Sequence, residues 1–566
     1  MQADQKKPME PSADCRAMLR RLEALRNERA TFVPHWRDLS EYVLPRQARF
    51  FVTDRNKGNR RTDKIHDNTA TLAARTLASG MMGGLTSPSR PWFNLRTHDQ
   101  RLNELQSVKV WLSAVRDRMN EAFLSSNLYT TLPMVYGDLG VFGTSAFAVL
   151  EDDDDVIRCV HFPIGSYMLG VDGKGRVDTC YREFQMTVSQ MVEEFGRDAC
   201  SQGVRDMYDR GNYDAWVDIV HTVEPNPNKD PRRLQSKFKA WRSCYFERAS
   251  AGREGAACLS EKGFDDFVIM APRWQLTGED IYGHSPAMDA LGDIKALQVE
   301  QKRKMEAVAK QVNPPMAAPS SMRNAAASVL PGAITYVPEG QQGDGFRPAY
   351  LVQANLQHLL EDIQENQQRI KRALFEDLFL MLSNIQHGQM TAQEVAERQQ
   401  EKLLLLGPVL ERLNDELFGP LIDRVFNILL KRNLLPPPPP EIHGMDLNVE
   451  YVSIMAQAAK LQSIGSVERL VQFTGSLMAA DEEAKDKIDF DATIDVMASM
   501  LGAPPQIVRD KRSVEQIRQG RRQQQRQQQA MAMMQQAAQT GKTLADTQVT
   551  EPSALSAMVQ QMRGGV

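Results

Sequence analysis

No stretch of this sequence approaches the ~18 consecutive apolar residues that a membrane-spanning helix needs, so no membrane partner is expected. Cysteine is scarce. Its six copies, Cys15, Cys159, Cys180, Cys200, Cys244 and Cys258, include no C-x-x-C pair, which excludes the usual zinc frameworks and indicates a reduced chain. An excess of one charge is missing too: 68 Lys and Arg against 72 Asp and Glu leave −4 over 566 residues. That is too little for a surface devoted to gripping nucleic acid. The opening MQADQKKPMEPSAD holds no apolar leader core, so a cytosolic origin is expected. The chain also carries no H-E-x-x-H, no G-x-S-x-G and no paired-histidine spacing among its nine His. Thr540–Thr543 reads TGKT, but a phosphate-binding loop needs Gly five residues before its Gly-Lys pair, where Gln536 stands. No cofactor, metal or catalytic residue is expected.

What is present is enough apolar residue, 42%, for a sizeable core in a few domains or one multi-part architecture. Residues 1–14 are polar and expected to be disordered. Helical periodicity runs through Cys15–Glu28 and is predicted over Asp63–Met82, Val108–Leu124 and Leu128–Leu139. From Gly143 onward the pattern turns to strands: SAFAVL, VIRCVHF, SYMLGVD, VDTCYREFQM, then WVDIVHTV, FKAWRSCYFE and DFVIMAPRWQL. The region up to residue 282 therefore reads as an α+β domain with an antiparallel sheet. The acidic run Glu151–Asp155 reads as a solvated hairpin turn, a divalent-cation site being the other reading.

Ser285–Pro286 offers an N-cap followed by proline in the first turn, predicting a helix to Val312, where NPP stops it. A second helix is predicted from Leu356 to Met381. At ~1.5 Å rise per residue each is about 40 Å long. The 43 residues between them are rich in Pro, Ala and Gly, with one strand candidate, AITYV. Two matched helices around a compact insertion predict an antiparallel pair carrying a small module at its far end. The first has heptad-like positions Leu291, Ile294, Gln298, Gln301, Met305, Val308 and Val312, two of them Gln. Such thin apolar faces predict packing against copies of the same helix. Lys302, Arg303 and Lys304 in its middle suit either phosphates or acids on a neighbouring helix.

Within SNIQHGQMTAQEVAERQQ, Ser383–Gln400, one helix stops near Gly388 and another restarts at a capping box, Thr391 and Glu394. The restarted helix is predicted over 392–432, kinked at Gly407–Pro408 and Gly419–Pro420. Its stripe from Leu403 to Leu430 reads as core rather than a membrane face, since acidic residues interrupt its polar side. Pro436–Pro440 is a stiff spacer. Helical segments follow to Leu501, then a Gln/Arg/Met-rich tail that forms a helix or stays disordered.

Taken in this order, with TLASGMMGGLTSPSRPWFNL (Thr76–Leu95), YGHSPAMDALGDIKALQ (Tyr282–Gln298) and MTAQEVAERQQE followed by LGPVLERL, the chain resembles the portal, or head-to-tail connector, proteins of short-tailed bacteriophages. The resemblance spans about Leu22 to Arg509. It implies an α+β, predominantly helical chain in a dodecameric ring around a channel for double-stranded DNA. It further implies a wing from 15–282, stem helices at 283–312 and 356–381, and a clip at 313–355. A channel loop would fall at 382–391, the kinked wing helix at 392–435, a crown at 436–505 and a barrel or mobile tail at 506–566. Asn384, Gln386, His387, Gly388 and Gln389 would line the loop, and Asn313, Arg323 and Arg347 would meet partners at the clip. The implied partners are the terminase large subunit, tail adaptor or nozzle proteins, and major capsid and scaffolding proteins. The implied place is the portal vertex of the virion, after assembly in the host cytoplasm. Portals perform no catalysis. The competing expectations are a metal-dependent nuclease or hydrolase using Asp152–Asp155, and a non-portal scaffold or adaptor.

Overall fold

The computed structural model describes residues 15–52, 61–89, 91–97, 99, 101–233, 235–251, 258–317, 347–348, 356–383, 406–442, 447–451, 467–476, 488–501, 507–509 and 511–545. The chain divides into two compact units, the first holding Met1–His98, Ala114–Pro437 and Asp446–Ser463, the second the remainder. The fold is α+β and mainly helical.

The first unit opens with α1 (Cys15–Arg29), α2 (Val33–Tyr42) and α3 (Thr69–Leu85), followed by β1 (Phe93–Thr97). Helix α4 (Gln106–Ser125) leads into α5 (Leu128–Phe142), which ends on Gly143 at φ 75°, the left-handed conformation that glycine adopts without strain. Strands β2 (Ala146–Asp152), β3 (Val156–Phe162), β4 (Tyr167–Val171) and β5 (Val177–Thr187) come next. A capping box on Thr187 and Gln190 then starts α6 (Val188–Phe195), and Ser201 caps α7 (Gln202–Asp209). Strands β6 (Trp216–Pro225), β7 (Trp241–Glu247), β8 (Ser260–Phe264) and β9 (Ile269–Met270) complete this run.

The expected sheet is more than one sheet. Strands β4-β5-β6-β7-β8 form an antiparallel meander, while β3-β2-β9 form a separate three-stranded sheet. Period-two alternation gives the meander two apolar faces. Val220, Cys244 and Phe246 point towards Met18, Leu22 and Leu25 of α1. Ile219 and Tyr245 point the other way, towards Val188 and Met191 of α6 and Val204 of α7. Strand β1 lies within the stretch read as a helix breaker. It pairs antiparallel with β12 (Leu447–Tyr451), Phe93 opposite Tyr451, from within the range expected to be crown.

The two long helices expected over 285–312 and 356–381 are present but interrupted. The first is a single turn, α8 (Pro286–Asp289), then α9 (Leu291–Val312); the break is at Ala290. Two short strands, β10 (Met316–Ala317) and β11 (Arg347–Pro348), pair beyond it. The second helix is α10 (Leu356–Ala373) and α11 (Glu376–Ser383). Phe375 divides them at φ 55°, where no glycine or proline announces a break. The strand candidate AITYV and residues 384–405 lie outside the described residues.

Helix α12 (Gly407–Leu413) passes through a π-helical turn, Asn414–Phe418, into α13 (Gly419–Lys431). In the second unit α14 (Phe490–Leu501) and α15 (Lys511–Ala545) are joined by Arg518, which meets both carboxylate oxygens of Asp491 at 2.5 and 2.8 Å. The tail that could be helix or disorder is therefore helical over those residues, and it is exposed on all sides from Glu515 to Ala537.

Candidate functional site

The α9–α10 hairpin is the candidate site, and its rooting begins at close glycine contacts. Gly143 and Gly283 lie so near that a Cβ on either would stand 2.2 Å from the other's carbonyl oxygen. Only a bare backbone fits there. The approach is fastened by Gly283 N–H donating to Thr144 Oγ1 (2.7 Å) and Ser285 Oγ donating to Val141 O (2.6 Å). Ser285 Oγ also accepts from Met288 N at 3.1 Å, the cap expected from sequence. On α3 a Cβ at Gly80 would stand 2.1 Å from the Phe379 ring of α11. Gly80 and Gly283, one in each of two stretches that carried the resemblance, are thus packing contacts.

The two glutamines in the apolar stripe of α9 bond to the segment before α3. Gln298 is 3% exposed, and its Oε1 accepts from the amides of His66 (2.6 Å) and Asp67 (2.8 Å). Its Nε2 donates back to Asp67 O at 3.0 Å. The Asp67 carboxylate then receives Gln301 Nε2 (3.0 Å) from α9, Gln367 Nε2 (2.8 Å) from α10 and Thr69 N (2.8 Å). Burial pushes this carboxyl up, but the hydrogen bonds from Thr69, Gln367 and Gln301 outweigh it and hold Asp67 below the usual carboxylate range. One side chain therefore ties three elements together. Sequence reading missed this hub, although glutamines interrupting a heptad were a visible trace of it.

Glu416, in the π-helical turn, accepts from Arg273 N (2.9 Å) and Arg273 Nη2 (2.6 Å), and Arg273 is 2% exposed. Gly407–Pro408 opens α12, where a missing N–H costs nothing. Gly419–Pro420 follows the π turn, and Gly419 N reaches back to Asn414 O. Proline 420 has no N–H to continue an ordinary ladder, so the turn widens. The helix closes at Asn433, φ 53°, with Leu434 N donating to Leu429 O and Asn433 N to Leu430 O.

The acidic run is a hairpin turn with arginine partners. Asp152 Oδ1 takes the amide of Asp154 at 2.9 Å, which together with that of Asp155 holds the carboxyl below its ordinary range. Arg432 donates to Asp152 O (2.7 Å) and Asp153 Oδ1 (2.9 Å), and Arg424 lies 3.6 Å from Glu151. Among the described residues no group of three or more His, Cys, Asp and Glu is arranged to hold a metal ion. Two histidines are structural: His221, buried against Tyr245, is pushed well below its usual range by burial, and His161 bonds Asp138 at 2.8 Å.

Lys302 and Arg303 are exposed and Lys304 is half-buried. Asn313 is exposed just after α9, and Arg347 lies in β11. Arg323, Asn384, Gln386, His387, Gly388, Gln389, Thr391 and Glu394 lie outside the described residues. Among the described residues no helix is long and apolar enough to cross a membrane.

Residues 16–508 match the family model described as bacteriophage head to tail connecting protein. The chain is 50% identical to the portal protein of Salmonella phage epsilon15 over 542 residues, covering 96% of this chain and 97% of that one. It is 44% identical to the probable portal protein of Bordetella phage BPP-1, covering 98% and 100%. A solved neck of an empty gene transfer agent (GTA) particle covers 76% of this chain and 88% of its own at 11% identity and a TM-score of 0.34, too loose a likeness to bear on the fold.

Proposed function

The chain belongs to the bacteriophage head-to-tail connecting proteins, and we propose that twelve copies of it close into a ring at one capsid vertex and form the channel for double-stranded DNA. The observation that carries this reading is the near full-length likeness to a portal protein, 50% identical. The shape of the hairpin supports it: α9 and α10 are fixed at one end and present exposed apolar residues at the other, as a wall built from neighbouring copies requires.

In this reading the hairpin is the stem and residues 313–355 form the clip. There Asn313, Arg323 and Arg347 meet the terminase large subunit during filling and tail adaptor proteins afterwards. The 382–391 loop, with Asn384, Gln386, His387, Gly388 and Gln389, makes a polar collar round the duplex, and Thr391 and Glu394 start the helix that turns back into the wing. A channel that passes DNA both ways must not grip phosphates. Uncharged loop side chains and a net charge of only −4 suit sliding, whereas dense Lys/Arg rings would bind by counterion release. The chain performs no catalysis of its own. Major capsid and scaffolding proteins surround the ring, which is assembled in the host cytoplasm and retained in the virion.

Light scattering and negative-stain imaging of the purified chain test this. A portal gives a mass about an order of magnitude above the 63.7 kDa chain and rings with a central hole. A chain that stays monomeric at every concentration overturns the reading.

A further inference from the structure

We propose that Lys302 and Arg303 on α9 of one protomer pair with Glu361 and Glu365 on α10 of the next copy, so that a belt of ion pairs encircles the hairpins. This rests on the ring reading. Buried Ile294, Leu297 and Gln298 define the inward face of α9. At ~100° per residue Arg303 lies roughly opposite Ile294, and Lys302 stands on the flank beside it. Both are exposed, and neither has an ion pair among the described residues. On α10, Glu361 and Glu365 are exposed and, among the described residues, tied to their own helix, Glu361 by Gln357 Nε2 at 3.3 Å and His358 at 3.5 Å and Glu365 by Arg369 at 2.5 Å. Such exposed pairs are worth little and exchange readily.

Position along the hairpin makes the match specific. The two helices run antiparallel, and Asn366 Nδ2 meets Glu300 at 2.9 Å. That contact sets Lys302 and Arg303 level with the turn between Glu361 and Glu365. Rotation about a ring axis keeps every atom at its height, so a neighbour brings its acidic turn to the level of this basic one. A basic flank on one helix and an acidic flank on the other make a head-to-tail contact, the kind that closes rings. Cations engaged this way are withdrawn from phosphates, consistent with a channel that lets DNA slide.

The full-length chain tests this by light scattering across a dilution series, with circular dichroism as the folding control. K302E/R303E and E361K/E365K should each raise the concentration of half-assembly about tenfold while leaving the melting curve in place. The fourfold swap K302E/R303E/E361K/E365K should bring assembly back towards wild type. Assembly of the paired variants at wild-type concentration overturns the proposal, as does a swap that restores nothing. So does a K302E/R303E ring that forms normally but binds a double-stranded DNA with a shallower salt dependence, because the cations then face the duplex. A wild-type chain that never forms rings overturns the ring reading and this belt together. A wild-type ring with a failed swap overturns the belt alone.

Discussion

The heptad stripe of α9 has two ends that behave differently. Ile294 and Leu297 are fully buried, while Met305 is 49% exposed, Val308 42% and Val312 80%. Residue type and spacing barely change along the stripe, but its neighbours do. At the inner end α2, α10 and the 66–69 segment meet it, and the Asp67 hub pins it. At the outer end little among the described residues reaches it. Exposing a row of apolar side chains forfeits the stabilisation that burial brings. The comparison teaches that the inner half is finished within one protomer, whereas the outer half stays bare among the described residues, which in the proposed ring is the surface for a neighbour.

Breaking the rooted end should have the largest effects. Gly143→Val places a β-branched side chain at φ 75° and drives its Cβ into Gly283 O; a loss of more than about 4 kcal/mol, or no soluble protein, is expected in denaturant titration. Next, Ile370→Ala on α10, at 0% exposure, should cost about 2–5 kcal/mol in the same titration. Gln298→Ala leaves the His66 and Asp67 amides without their acceptor and should cost about 1–3 kcal/mol.

Asp67→Asn should cost about 1 kcal/mol at neutral pH and change the acid limb. Because the folded-state pKa of Asp67 is lowered, its contribution is present above the unfolded value near 4 and is lost as pH falls through the lower folded value. Acid titration of the variant should show a correspondingly flatter decline below pH ~4. The smallest effect on the protomer belongs to the outer end. Met305→Ser with Val312→Ser should change monomer stability by less than about 0.5 kcal/mol yet raise the concentration needed for ring assembly. If Ile370→Ala and the Met305/Val312 variant cost the protomer equally, the contrast between the two ends is wrong.

Much of this was legible in the residues. Ser285–Pro286 capped its helix where expected, and the strands from β2 to β7 fell on the segments read as strands. The acidic run proved to be a turn. What was not legible depended on distant partners. Strand β1 pairs with β12 across more than three hundred residues, and nothing local to PWFNL marks it as an edge awaiting a strand. Phe375 ends α10 in the left-handed region without glycine or proline, under packing that includes Trp274 at 6.1 Å between ring centres. Gln298 and Gln301 looked like weak points in an apolar stripe because their acceptor and donors lie on another segment.

The sequence by itself determined the order of elements, the mainly helical α+β class, the small net charge and the family resemblance, since these depend on local periodicity, caps and composition. Tertiary structure alone decided which glutamines became a hub, where the long helices break and which part of the stripe stays bare. Those outcomes turn on whether a hydrogen-bond partner or a covering side chain arrives from far along the chain, and no local pattern records that.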